Sequence, residues 1–264
     1  MLASEFTHPD DAAALKTLES IPILPTVVKK VMNLGIEQLT YGTNMASKIL
    51  LSPTQLPQLY NILPPICRRL DIREPSFFLE MDPFPNAYAF GDTYTAITIT
   101  SGLVEMLTEE ELTAVVAHEC GHILCRHMLY HTLAAVLVDA MMQSEILGML
   151  AAPVKYALLY WNRKSELSCD RVSTFICSPE TTIRVMSRLA GGPKSITADI
   201  NLAELSRQAD KYDAICKDGA WNKTLQTLAV LGNDHPFVSV RVRETLRWIE
   251  TDQYKDLLRK YLPY

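Results

Sequence analysis

One run of five residues, His118 to His122, restricts the possible functions of this chain more than any other part of its sequence. Its two histidines stand four positions apart, so on an α-helix they project from one face and both imidazoles can reach a single zinc ion. Glu119 follows the first histidine and is placed to take a proton from a water molecule at that ion. With this composition, the pattern H-E-x-x-H arises by chance in roughly one of a hundred such chains. The run therefore predicts a metal-dependent hydrolytic site.

The residues around this run predict the helix that it needs. Thr108 and Glu111 have the spacing of a capping box, and Leu112, Val115 and Ile123 follow at helical intervals. A capped helix with two incidental histidines is the alternative interpretation, and these residues alone leave it open.

A third ligand is expected from a second helix, because two histidines leave a zinc site incomplete. The helical segment Trp161–Arg171 carries Glu166 and Asp170 at positions i and i+4. Glu166 would complete a site of two histidines and one glutamate and leave the fourth position to water. Asp170, one turn further on, would accept the free N–H of a zinc-bound histidine. Taken alone, the two carboxylates also fit a solvated acidic face, and the histidine pair makes the metal site the leading interpretation.

Apolar patterning predicts an α+β fold that is mainly α-helical, with a small antiparallel sheet against the helix of the histidine pair. Short strands are predicted at Phe77–Met81, Asn86–Phe90 and Tyr94–Thr100. Further helical stretches are predicted over 9–72, 197–230 and 237–260. The expected organisation is an N-terminal helical region, 1–73, packed on a metal-site core, 74–264, as one compact unit.

Charge and cysteine usage exclude some classes of protein. The 264 residues carry 25 basic and 30 acidic side chains, a net charge of −5, which argues against a nucleic-acid partner. The six cysteines include no C-x-x-C pair, so a reduced, cytoplasmic setting is expected. The start of the chain, MLASEFTHPDD, has neither the basic nor the apolar stretch of a signal peptide.

The most apolar region, Met128–Trp161, is not expected to cross a membrane. Asp139, Glu145 and Lys155 interrupt it and leave charge-free runs of about ten residues, whereas a membrane span needs about 18 or more apolar residues in a row. We expect a pair of buried or amphipathic helices there, and contact with a membrane surface stays open.

Four blocks of sequence occur in a characteristic order. They are Asn86–Gly91 (NAYAFG), Thr100–His122 (TSGLVEMLTEEELTAVVAHECGH), Ser165–Arg171 (SELSCDR), and His235-Pro236 with Arg241 six residues after the histidine. Together they resemble the HtpX-like and CAAX-prenyl-protease-like zinc metallopeptidases, a branch of the gluzincins. The resemblance covers residues 75–250 and is most specific between Asn86 and Arg171.

This resemblance implies a soluble zinc metalloendopeptidase of the gluzincin type, with one Zn²⁺ per chain and a peptide or unfolded protein as substrate. His118, His122 and Glu166 would be the zinc ligands and Glu119 the general base. The predicted strand would be an exposed edge on which the substrate backbone pairs, through Asn86, Ala87, Tyr88 and Ala89.

The fourth block carries a less specific implication. His235 resembles a family histidine that stabilises the oxyanion, and Arg241 would help to seat that segment. The pair His235-Pro236 also fits a simple turn before the last helix.

Some residues depart from the family pattern or fall outside it. Cys120 and Cys169 replace the usual Leu and Ala beside the ligands, where we expect small apolar packing residues. His127 lies about 140° round the helix from His122, so it is not expected to bind zinc. Like His131, it is expected to be a hydrogen-bonded or surface histidine. The transmembrane helices of membrane-bound relatives are not evident in this chain.

Two other functions remain open. A deformylase-type amidase would use an upstream cysteine as its third ligand, and Cys67 is the only cysteine upstream of the histidine pair. A latent or non-catalytic zinc-binding protein would bind peptides or partners without cutting them.

Overall fold

The computed structural model describes residues 1–32, 35–134, 145–217 and 237–261. Over these residues the fold is α+β and mainly helical, as the sequence predicts. After a 3₁₀ turn at Ala3–Glu5, the helices are α1 (Pro9–Glu19), α2 (Leu24–Met32), α3 (Ile36–Ser47), α4 (Pro57–Tyr60), α5 (Leu63–Leu70), α6 (Ser101–Met106), α7 (Glu109–Leu124), α8 (Glu145–Ile176), α9 (Pro179–Gly191), α10 (Lys194–Thr197), α11 (Leu202–Lys217), α12 (Val238–Ile249) and α13 (Asp252–Tyr261). The strands are β1 (Ile49–Leu50), β2 (Ser76–Glu80), β3 (Ala87–Phe90) and β4 (Ala96–Thr100).

The sheet is mixed, with strand order β1-β2-β4-β3, so the predicted antiparallel arrangement is only partly correct. β3 and β4 form an antiparallel pair, whereas β2 and β4 run parallel along their whole length. The reason is that β4 lies between β2 and β3, the two strands immediately before it in the chain. After β2 the chain forms the edge strand β3, turns at Gly91 (φ +84°) and returns through the centre of the sheet.

The strand β1 falls in a region that was predicted to be helical, and that prediction is wrong there. α3 ends at Ser47, and Lys48 is already extended (φ −119°, ψ 165°). Ile49 and Leu50 then pair antiparallel with β2 at the edge of the sheet opposite β3.

The central strand fixes the sheet on α7. All five residues of β4 are buried. Ile97 and Ile99 belong to the same core cluster as Phe77 of β2 and Val116 and Cys120 of α7. Each fully buried aliphatic or aromatic side chain contributes about 1.5–3 kcal/mol. The sheet is therefore held firmly beside the helix that carries the histidine pair.

Threonines begin the two helices that follow the sheet. The hydroxyl of Thr100 accepts the N–H of Leu103 at the start of α6. The hydroxyl of Thr108 accepts the N–H of Glu111, and the carboxylate of Glu111 accepts the N–H of Thr108 at 3.0 Å. The predicted capping box is confirmed, and α7 begins where the sequence places it.

The 32-residue helix α8 packs against both α7 and α1. The apolar part of its contact with α1 joins Ala14 and Leu18 to Leu158 and Trp161. The first helix of the chain thus lies directly on the helix that carries Glu166.

The last predicted helix, 237–260, is two helices, because the chain turns after α12. The backbone N–H and the hydroxyl of Thr251 both donate to the carbonyl of Trp248, and α13 starts at the next residue. Of the stretch predicted over 197–230, Leu202–Lys217 form α11, and 218–230 lie outside the described residues.

Part of the apolar region 128–161 also lies outside the described residues, at 135–144. No helix with a described placement has both the length and the hydropathy needed to cross a bilayer. The five cysteines with described side chains are free thiols.

Candidate active site

α7 carries the histidine pair and Glu119 into the protein interior. His118, Glu119 and His122 are 7%, 7% and 4% exposed. Polar groups buried to this extent need partners, because desolvation without hydrogen bonds or ion pairs is costly. The partners of these side chains therefore define the site.

Glu166 of α8 faces both histidines. Its Oε2 lies 3.2 Å from Nε2 of His118, and its Oε1 lies 3.3 Å from Nε2 of His122. Donors bound at about 2.0–2.1 Å to one tetrahedral zinc ion are about 3.3 Å from each other. The two histidine–carboxylate distances thus match the spacing between ligands of one zinc ion.

Gly121 allows α7 and α8 to approach this closely. A Cβ atom at this position would lie 3.1 Å from Cα of Cys169 and 3.2 Å from Cβ of Val172. Such distances are shorter than ordinary packing contacts. The glycine within the H-E-x-x-H run therefore sets the separation between the histidines and Glu166.

We expect Gly121→Ala to lower the free energy of unfolding by about 1–3 kcal/mol, because crowding against a backbone atom outweighs the gain of about 1 kcal/mol in helix propensity. The matched control is Gly42→Ala in α3, where an added Cβ would meet nothing within 4 Å. That variant should gain up to about 1 kcal/mol. Urea unfolding measures both changes. If Gly121→Ala proved as stable as Gly42→Ala, the two helices would be able to separate at no cost.

Asp170 contacts His118 on the side away from Glu166. Its Oδ1 lies 3.1 Å from Nδ1 of His118, and Arg241 of α12 donates to both carboxylate oxygens, at 2.6 and 2.9 Å. Burial raises the pKa of Asp170, but the charge and the hydrogen bonds of Arg241, together with those of His118, outweigh it and hold that pKa below its usual range. The ionised carboxylate can accept the Nδ1–H of His118, which leaves Nε2 for a metal ion.

The same contacts stabilise the protonated form of His118, with which a metal ion must compete. Burial lowers the pKa of His118, but hydrogen bonds to Asp170 and Glu166 outweigh it and raise that pKa to about 10. A metal ion that binds at Nε2 therefore displaces a proton.

His122 contacts His127, which helical periodicity predicts on another face of the helix. Its Nδ1 lies 3.2 Å from Nδ1 of His127, and Nε2 of His127 lies 3.2 Å from Oδ2 of Asp11 in α1. His127 is 3% exposed. The predicted separation of about 140° is wrong, because it assumed that the helix continues, whereas α7 ends at Leu124.

A Schellman motif at the end of α7 brings His127 back to His122. Arg126 is left-handed (φ +58°), and its N–H donates to the carbonyl of Ile123 at 3.1 Å. The N–H of His127 donates to the carbonyl of His122 at 3.0 Å. The two histidine rings lie 5.4 Å apart, edge to face.

Among the described residues, two groups of side chains could also hold a metal ion, each with donor atoms within 4.8 Å of one another. One consists of His118, His122 and Cys169, and the other of His122, His127 and His131.

Cys169 is therefore a rival to Glu166 as the third ligand. Its Sγ lies 3.6 Å from Nδ1 of His127. Cys67, the ligand of the amidase alternative, belongs to neither metal-binding group of the described residues and contacts Cys120.

A cavity of about 270 Å³ opens beside these residues. Polar side chains line one part of it: His118, Glu119, Glu166, Asp170 and Arg241. Apolar side chains from α7, α9 and α12 line another: Val115, Val185, Met186, Leu189 and Val238. Pro85, Asn86 and Ala87, at the start of β3, complete the wall. A predicted edge strand and the acidic and histidine side chains thus border one space.

The structure brings most of the predicted site residues together and leaves two others apart. Beyond the cavity wall, Tyr88 donates its hydroxyl hydrogen to Glu80 at 2.8 Å, and Ala89 continues the edge strand. His235 lies outside the described residues.

Sequence reasoning missed Asp11. It correctly predicted a hydrogen-bonded histidine at position 127, but not that this histidine contacts His122. The contact of His127 with His122 could have been inferred from the position of His127 just after the helix, where a left-handed residue can reverse the direction of the chain. Asp11 has no local signal, because only the packing of α1 on α8 brings it to the site.

Comparison with known proteins identifies relatives of this chain. The model of peptidase family M48 matches residues 53–249. The plastoglobule-localized metallopeptidase 48, chloroplastic, of Arabidopsis thaliana is 32% identical over 264 residues, which cover 98% of this chain and 76% of that protein.

Shorter alignments join the chain to protease HtpX homologs. The one from Sulfurovum sp. is 37% identical over 93 residues, 34% of each protein. The one from Aquifex aeolicus is 34% identical over 116 residues, which cover 42% of this chain and 36% of that protein. The matched part thus spans about a third of these two relatives. No solved structure matches the chain.

Proposed function

The chain belongs to peptidase family M48, and from this we propose that it is a zinc-dependent endopeptidase that cleaves internal bonds of peptides or unfolded proteins. The observation that carries the proposal is the convergence of two histidine Nε2 atoms on the carboxylate of Glu166, at 3.2 and 3.3 Å, beside Glu119.

In this proposal His118, His122 and Glu166 hold the metal. Zinc at this position would polarise the scissile carbonyl and lower the pKa of a water molecule. Glu119 accepts the proton of the attacking water at its carboxylate and donates it to the leaving amine nitrogen. Asp170 holds the Nδ1–H of His118, and Arg241 keeps Asp170 ionised. His235, which the family resemblance assigns to the oxyanion, stays a prediction.

We further propose that the substrate backbone pairs with β3 by strand addition. The N–H of Thr100 donates to the carbonyl of Asn86 at 3.0 Å. Because bonding alternates along an antiparallel ladder, the backbone of Tyr88 also faces β4, and the N–H and C=O groups of Ala87 and Ala89 face outward. An extended peptide bound to these groups would run along the cavity that begins at Ala87.

The apolar wall of the cavity favours an apolar side chain next to the scissile bond. Met186 and Val185 are almost completely buried and belong to α9, while Leu189 and Val238 lie nearer to solvent. The polar part of the same cavity is occupied by groups with roles in metal binding and proton transfer. Specificity would therefore come from the apolar wall and from backbone pairing.

The test is digestion of an unfolded protein, β-casein, by the zinc-loaded chain. We expect fragments that do not form when 1,10-phenanthroline removes the metal and that reappear when zinc is added back. Binding of casein without cleavage, at one zinc per chain, would contradict the proposal and favour the non-catalytic alternative. Activity on formylated peptides alone would favour the amidase alternative.

A location inside the cell, without a membrane span, is part of the same proposal. It is supported by the free thiols of the described cysteines. The name of the Arabidopsis relative places that protein at the plastoglobule of the chloroplast, and contact of this chain with a lipid surface is the corresponding hypothesis.

A further inference from the structure

A chain of hydrogen bonds leads from the first helix of the protein to the candidate metal site. Asp11 is 2% exposed. Its Oδ1 accepts the indole N–H of Trp161 at 2.9 Å, and its Oδ2 accepts the hydroxyl hydrogen of Ser168 at 2.6 Å. Nε2 of His127 lies 3.2 Å from the same Oδ2. Three groups therefore point at this carboxylate, and an ionised carboxylate can only accept hydrogen bonds from them.

These contacts determine which ring nitrogens carry hydrogen. Since Asp11 accepts, His127 donates through Nε2–H, and a neutral His127 then has its lone pair at Nδ1. That lone pair lies 3.2 Å from Nδ1 of His122 and 3.6 Å from Sγ of Cys169, and the hydrogen of the shorter contact is assigned to Nδ1 of His122. The lone pair of His122 is then at Nε2, the atom that faces Glu166.

We propose that Asp11 is a positioning residue of the metal site, and that it acts through His127 to fix the tautomer and ring orientation of His122. This inference rests on the proposed function, because it takes His122 as a zinc ligand. Asp170 contacts His118 directly. Each candidate histidine ligand is thus oriented by a buried aspartate, in one case across a second imidazole.

The surroundings hold this connection in one geometry. The indole ring of Trp161 packs edge to face against His127, with ring centres 5.4 Å apart. Ser168 accepts the backbone N–H of His8 at 2.9 Å, so its own hydrogen is available to Asp11. α1 lies before the range 53–249 that matches the family model, so this contribution comes from outside that range.

The test compares Asp11→Ala with Asp10→Ala. Asp10 is the neighbouring residue of the same helix turn, its side chain is 52% exposed, and it pairs with Lys164 at the surface. Zinc affinity is measured by competition with a chelator, at a temperature where circular dichroism shows both variants folded. Asp11→Ala should bind zinc about 10–100-fold more weakly than wild type, and Asp10→Ala should bind it equally well. The visible absorption bands of the cobalt-loaded protein should change in Asp11→Ala alone.

A double-mutant cycle tests the route through His127. His127→Phe keeps an aromatic ring against Trp161 and leaves the other two hydrogen bonds of Asp11 in place. It should weaken zinc binding about as much as Asp11→Ala, and the double variant should be no weaker than His127→Phe alone. Effects that multiply in the double variant would overturn the route through His127.

Three further outcomes would separate the possible failures. Equal zinc affinity of the two aspartate variants would overturn the inference while the proposed function stands. Absence of zinc from the wild-type protein would overturn both. Two zinc ions per chain, with one lost in His131→Ala, would place a metal on the three histidines and overturn the role given to His127.

Discussion

Replacing Glu119 with glutamine is expected to abolish peptide hydrolysis while the chain keeps about one zinc ion. The substitution preserves the size of a side chain that is 7% exposed and lines the cavity beside His118. It removes the proton acceptor, and general-base catalysis contributes typically about 10²–10⁴ in rate. We therefore expect kcat/KM on a casein-derived peptide to fall by about a thousandfold. Elemental analysis of the same preparation measures the zinc.

Glu109→Gln is the matched control for this variant. Glu109 lies in the first turn of the same helix and is exposed. Its substitution by glutamine removes the same charge. Its activity should equal that of wild type. If Glu119→Gln retained activity within tenfold of wild type, Glu119 would not be the base, and another group of the cavity would have to accept the proton.

The fold was predictable where local chemistry decides the structure. The capping box of Thr108 and Glu111 fixes the start of α7, and β-branched residues mark β4. Pairing between strands was less predictable, because nothing local indicates that β4 enters between β2 and β3. The strand β1 was missed because two extended residues are too short to change the helical pattern around them.

The sequence predicts those parts of the candidate site whose residues are spaced along a single helix. The i, i+4 positions of His118 and His122, and of Glu166 and Asp170, already place each pair on one helix face. Contacts that depend on where a helix ends were not predictable from periodicity. Arg126 has a left-handed backbone conformation, which turns the chain and places His127 beside His122. The helical rotation of about 100° per residue does not predict this position, because it applies only while the helix continues.

Other residues reach the site only through packing between helices that are distant in the chain, which spacing along the sequence does not predict. The role of Asp11 depends on α1 lying on α8, and Arg241 reaches Asp170 only because α12 returns to the same helix. Both residues are charged and almost fully buried. Since buried charges need partners, both residues help to identify the site in the structure, although Asp11 does not stand out in the sequence and Arg241 does so only as part of the fourth block.

Replacing Glu166 with alanine is expected to remove the metal. Wild-type protein purified without added metal should contain about one zinc ion per chain, and Glu166→Ala should have lost most of it. The reason is that Glu166 supplies the two oxygens that lie 3.2 and 3.3 Å from the Nε2 atoms of His118 and His122. Two histidines alone leave a zinc site one protein ligand short. Elemental analysis gives the result directly, and peptide hydrolysis should disappear with the metal.

Cys169→Ala is the control that distinguishes the two candidate third ligands, because the thiol also lies within 4.8 Å of donor atoms of both histidines. It should keep about one zinc ion. Glu166→Gln serves as a second variant, since it preserves side-chain size in a position that is 1% exposed. It should bind zinc far more weakly than wild type, because an amide oxygen carries no charge. Loss of zinc from Cys169→Ala together with retention in both Glu166 variants would move the third ligand to the thiol and leave Glu166 as a hydrogen-bond partner of the histidines.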